Sequence, residues 1–184
     1  MRRAVPWLVG AVLVLAAGAV TATIPEEDSV LDPLLVRGGA SDTVTARSLV
    51  VSVQDAVFAE NLEVEAADWS AEGNWLVVTL EVSAAHTEKD ASVGLATLTI
   101  DGRQFQASER PSASLLKTRL HVGTDVVGTL AFELPADLRS GDAELQVTTF
   151  DAIPQLDDVI ALPIDLDQLS TTPRFALETP GWAS

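Results

Sequence analysis

Two patterns of apolar residues divide this chain. From Ala4 to Ile24 every residue is apolar, Gly or Pro except Thr21 and Thr23. From Thr43 onward apolar and polar residues alternate with a period of two, the pattern of strands with one face toward a core. Leu49, Val51 and Val53 share a face, and Leu76, Val78, Leu80 and Val82 alternate with Val77, Thr79 and Glu81. Leu130, Phe132 and Leu134 alternate with Thr129, Ala131 and Glu133; Leu145, Val147 and Thr149 alternate with Glu144, Gln146 and Thr148.

Thr97–Ile100, Asp101-Gly102 and Arg103–Ala107 predict a hairpin, because Asp-Gly favours the type I′ turn that matches strand twist. Val159–Ile164 predicts a last strand, which Pro163 confines to a sheet edge or a bulge because it has no N–H to donate. Turn signals separate the runs at Glu72-Gly73-Asn74, Val122-Gly123-Thr124-Asp125 and Arg139-Ser140-Gly141-Asp142. The acids Glu60, Glu63, Glu65 and Asp68 read as one loop. About seven short strands without a long amphipathic helical stretch predict an all-β, immunoglobulin-like β-sandwich.

The expected organisation is an N-terminal transmembrane helix over 1–24, a juxtamembrane linker over 25–42, the sandwich over 43–169 and an irregular tail over 170–184. Within the linker, Leu34-Leu35-Val36 reads as a short first strand. The 21 residues from Ala4 to Ile24 make a helix of roughly 31 Å, the thickness of a bilayer's hydrocarbon core. Arg2 and Arg3 precede the apolar run, and Glu26, Glu27 and Asp28 follow it. The basic flank stays inside, so everything after the helix is expected outside the cytoplasm. A signal peptide cleaved after Ala19 is the competing reading, since Ala17-Gly18-Ala19 has the small residues of a cleavage site. The apolar run continues past that point, which favours the uncleaved anchor.

The chain has 11 basic and 27 acidic residues and a formal charge of −16. Phosphate backbones and anionic lipid are repelled by such a surface, so nucleic acid is excluded as a partner and bilayer contact falls to the N-terminal helix. Cysteine is absent, which removes disulfides, thiolate chemistry and lipid attachment through Cys. Abundant Ala, Val, Leu, Asp and Glu with few Lys suit a GC-rich bacterial genome.

Two stretches carry a family resemblance. One is Gly73-Asn74-Trp75-Leu76-Val77-Val78-Thr79-Leu80-Glu81-Val82 followed by Leu98-Thr99-Ile100-Asp101-Gly102-Arg103-Gln104-Phe105; the other runs from Leu120 to Pro135. Together they resemble the secreted or membrane-anchored Ig-like domains grouped with the immunoprotective extracellular protein family, over residues 45 to 150. The chain departs from the family pattern at Ser83-Ala84-Ala85, where an Asn is usual, and at His121-Val122-Gly123, where Pro-Gly is usual. The resemblance implies a fold and an exported location, and it brings no catalytic residues with it.

The residues themselves offer little chemistry. His86 lies in a polar loop and His121 before a glycine turn, neither beside a G-x-S-x-G nucleophile pattern. Asp157-Asp158, Asp165-x-Asp167 and the 60–68 acids supply oxygens of the kind calcium takes, without the D-x-D-x-D-G spacing. Trp69 and Trp75 are few aromatics for a sugar cleft, and Trp75 reads as a strand residue packed against the sandwich. No enzyme, cofactor or catalytic residue is expected. Phe175, Leu177 and Trp182, set among Pro and Gly, either pack back on the sandwich and close an edge or form a docking segment for a partner. The expected function is a non-catalytic interaction module with a protein partner at the membrane. Its rivals are an accessory subunit of a membrane transporter or envelope assembly, and a calcium- or small-molecule-binding domain.

Overall fold

A computed structural model describes residues 34–88, 91–149 and 158–183. The apolar segment expected to cross the membrane lies outside these residues. Among the described residues no helix is long and apolar enough to cross a bilayer.

Among the described residues twelve strands form two sheets: β1 (Leu34–Arg37), β2 (Val44–Thr45), β3 (Leu49–Val64), β4 (Trp69–Ala84), β5 (Val93–Ile100), β6 (Arg103–Gln106), β7 (Val126–Leu134), β8 (Asp142–Thr149), β9 (Asp158–Asp165), β10 (Thr171–Thr172), β11 (Phe175–Ala176) and β12 (Gly181–Trp182). The first sheet has the order β1-β9-β8-β5-β6. The second is built on β3-β4-β7, with β2, β10 and β11 bonded to β3 and β12 bonded to β7. The described residues thus form an all-β sandwich.

The alternation read from the sequence places the main core between the sheets. Leu76, Val78, Leu80 and Val82 of β4 and Leu130, Phe132 and Leu134 of β7 meet Leu98, Ile100, Leu145, Val147, Ile160 and Leu162 of the other sheet. Burying each such side chain contributes about 1.5–3 kcal/mol relative to leaving it in water. At the predicted hairpin Ile100 pairs with Arg103, and Asp101 and Gly102 both have positive φ, 50° and 75°, as a type I′ turn requires. Pro163 pairs with Glu144 of β8, while β1 pairs with β9 only through Asp158–Ala161. Pro163 therefore sits past the end of β1, where a missing N–H breaks no ladder.

Two corrections concern the hairpin of β3 and β4. Glu60 and Glu63 belong to β3, and Glu65 and Asp68 form the tight turn at the hairpin's tip, so the four acids are not a loop. Glu72-Gly73-Asn74 lies inside β4 and is not a turn between runs. The cause is a pair of β-bulges, between Val53 and Asp55 and between Ala59 and Asn61. At the first, β3 has the extra residue, Gln54; at the second, β4 has it, with Gly73 and Asn74 opposite Glu60. At each, the parity of β3 that faces the core reverses. Leu49, Val51 and Val53 face the main core before the first bulge; Ala56 and Phe58 do so after it. Beyond the second, Leu62 and Val64 join Ala59 on the sheet's opposite face.

Phe132 has no exposed surface and lies at the centre of the main core. Phe132→Ala is expected to lower unfolding free energy by about 3–5 kcal/mol, read as a fall in the denaturant midpoint with an unchanged slope.

Candidate functional site

The outer face of the β3-β4-β7 sheet is apolar as well. Ala59, Leu62 and Val64 of β3, Ala71, Trp75 and Val77 of β4 and Ala131 of β7 form a second buried cluster. Two irregular segments cover it. The connection between β6 and β7 lies along the edge of β7: Ser108 N donates to Ala131 O at 2.7 Å and Leu115 N to Thr129 O at 2.9 Å. It lays Ala113 into the cluster and brings the Arg110 guanidinium within 5.9 Å of the Trp69 ring and 5.7 Å of the Trp75 ring. Such cation–π contacts are worth roughly 0.5–1 kcal/mol at exposed sites. The indole N–H of Trp75 donates to Ala71 O at 3.1 Å, so the ring is buried with its one polar atom satisfied.

The tail is the second cover. β10 and β11 run parallel to β3, Thr171 opposite Phe58 and Phe175 opposite Leu62. β12 runs antiparallel to β7 at its other edge, Trp182 opposite Val126. Residues 177–180 thus pass from one edge of the sheet to the other, and both edges gain backbone partners. Leu177, 5% exposed, enters the second cluster, and its N–H donates to Glu63 O at 2.7 Å. Gly128 lets the tail approach β7: a Cβ there would stand 3.0 Å from Pro180 Cγ and 2.9 Å from Leu115 Cδ1.

A polar clamp holds the start of the tail. Buried Asn74 donates to Pro135 O at 2.7 Å and Leu138 O at 3.0 Å, and its Oδ1 accepts from Arg139 Nε at 2.7 Å. Arg139 Nη1 reaches Thr171 Oγ1 at 3.5 Å. Arg174 Nε pairs with Glu63 at 2.9 Å.

Where the tail leaves the cluster it walls an open groove of about 380 Å³, a size within the range of small-molecule sites. Thr79 and Thr129, a cross-strand pair, lie in its floor, and Phe175, Glu178 and Trp182 in its tail wall. Thr129 Oγ1 is enclosed and has no hydrogen-bond partner. Trp182 is 77% exposed.

The structure therefore divides the three tail residues singled out from the sequence. Leu177 is a packing residue; Phe175 is half-buried; Trp182 presents its ring to solvent. Three of the acids weighed for calcium accept hydrogen bonds from backbone N–H groups, and Asp157 lies outside the described residues. Asp158 accepts from Arg47 N at 3.1 Å, Asp165 from Asp167 N at 3.0 Å, and Asp167 from Gly141 N at 3.3 Å. Among the described residues no three His, Asp or Glu side chains are grouped to hold a metal ion. His121 Nδ1 lies 3.2 Å from Glu88 Oε2, both partly exposed. The sequence reading passed over Ala113 and Leu115, which no periodic run contains, and took Asn74 and Arg139 for turn residues only. Comparison with family models, curated proteins and solved structures finds no match to this chain.

Leu177→Ala should cost about 2–3 kcal/mol by emptying the second cluster, whereas Trp182→Ala should change stability by less than about 0.5 kcal/mol. Thermal or denaturant unfolding of the two variants checks the contrast.

Proposed function

We propose that this chain is a membrane-anchored, extracytoplasmic, immunoglobulin-like domain that works as a non-catalytic interaction module, with the tail-covered face of the β3-β4-β7 sheet as its binding surface. The observation that carries the reading is Trp182, a large aromatic left 77% exposed on a strand pinned to the body by backbone pairing. Exposed aromatics on rigid elements are favoured anchors at interfaces, since little side-chain freedom is lost on binding.

The strand order supports the immunoglobulin-like part. With β3, β4, β5, β6, β7, β8 and β9 taken as A, B, C, C′, E, F and G, the two sheets group A-B-E and C′-C-F-G, the arrangement around which such sandwiches are built. The resemblance over residues 45 to 150 points to the same fold. The apolar run from Ala4 to Ile24, with Arg2 and Arg3 before it and acids after it, supports the anchor and the direction of export.

Mild cross-linking followed by purification from detergent-solubilised membranes tests this reading. A reproducible protein partner should be retained by the parent chain and by a chain whose residues 4–24 are replaced with an unrelated anchor. Trp182→Ala should lose it. A monomer without a partner, or a partner indifferent to Trp182, contradicts the proposal.

A further inference from the structure

We propose that the groove between the tail and the outer face of the β3-β4-β7 sheet binds a small organic ammonium ion. This rests on the tail-covered face being the binding surface, and it names the ligand chemistry that face accepts.

Three observations select a cation. Glu178 is the one charged side chain among the described residues lining the groove, and the chain as a whole carries a formal charge of −16. An anion meets repulsion from both, while a cation is drawn in and held near a carboxylate. The aromatic wall points the same way. Elsewhere in the fold, arginine guanidiniums stand 5.7 to 5.9 Å from the Phe58, Trp69, Trp75 and Phe105 rings. Among the described residues Phe175 and Trp182, the two rings that line the groove, have no cation over them. Both line the groove, and an aromatic ring's face is negative and attracts a compact ammonium ion.

The floor supplies the third observation. Thr79 is half-buried in the floor, and an ammonium N–H donates to hydroxyl oxygen and to carboxylate alike. A wholly apolar guest would strip water from the Thr79 hydroxyl and the Glu178 carboxylate and return no hydrogen bond. Glu178 and Trp182 are both exposed, so each can be altered without opening the main core.

Butylammonium and butanol share a chain and differ in charge, and either can be titrated into the full-length chain in a non-ionic detergent. The indole N–H signals of the four tryptophans, assigned by single Trp→Phe replacement, report where each probe sits. Butylammonium should move the Trp182 signal and leave the Trp75 signal in place. Trp182→Ala, followed by calorimetry, should weaken binding about threefold or more, as an exposed cation–π contact does. Glu178→Gln should weaken it by a similar factor, and raising salt from about 50 to 500 mM should weaken it further. An equal response to butanol, no response at Trp182, or binding indifferent to both substitutions would overturn the inference. So would binding of a neutral sugar in place of the amine, although that outcome would leave the tail face as the binding surface.

Discussion

A sheet with apolar side chains on both faces has to be covered on both, and the β3-β4-β7 sheet is such a sheet. One face meets β9-β8-β5-β6 in the ordinary manner of a sandwich. The other carries Trp75, Val77, Ala59, Leu62 and Val64, for which the described residues supply no third sheet. Left in water, that surface would be a large apolar patch of the kind that drives association. The irregular parts of the molecule are placed by this demand: the β6–β7 connection supplies Ala113 and Arg110, and the tail supplies Leu177.

Covering the face with extended chain has consequences for the edges and the surface. A tail that starts on β3 and ends on β7 bonds to both edges of the sheet, where unpaired strands would otherwise invite another chain. It also carries Trp182 past the end of the second cluster, to a position that leaves it 77% exposed. The groove beside it has Thr79 and Thr129 in its floor. Packing and the proposed recognition thus share one segment but fall on different residues, Leu177 for the first and Trp182 for the second.

Much of the sandwich is legible in the sequence because its strands alternate plainly. Leu76 to Val82, Leu130 to Leu134 and Leu145 to Thr149 lie in strands as read, and Asp101-Gly102 marks its hairpin with the φ values the residues prefer. Legibility fails where alternation is interrupted. The bulges near Gln54 and Glu60 swap the inward parity twice within β3, so residues 55 to 64 lose their period and pass for an acidic loop. The tail is opaque for another reason. Its three strands are two residues long and exist only because β3 and β7 stand beside them, which no local pattern encodes. Phe175, Leu177 and Trp182 are conspicuous as apolar residues in a polar segment, yet their division into a buried plug and an exposed ring depends on the second cluster. Asn74 and Arg139 are invisible to periodicity, since a clamp made of one amide and one guanidinium has no repeat.

The central claim is that the tail is a structural cover for the outer face of the β3-β4-β7 sheet. Hydrogen exchange at the Trp75 indole N–H, which donates to Ala71 O beneath that cover, tests it most directly. In the full-length chain this proton should exchange slowly, and in a chain ending at Leu169 it should exchange at least about tenfold faster while amides of β5 and β8 keep their protection. Equal indole protection in the two chains would contradict the account.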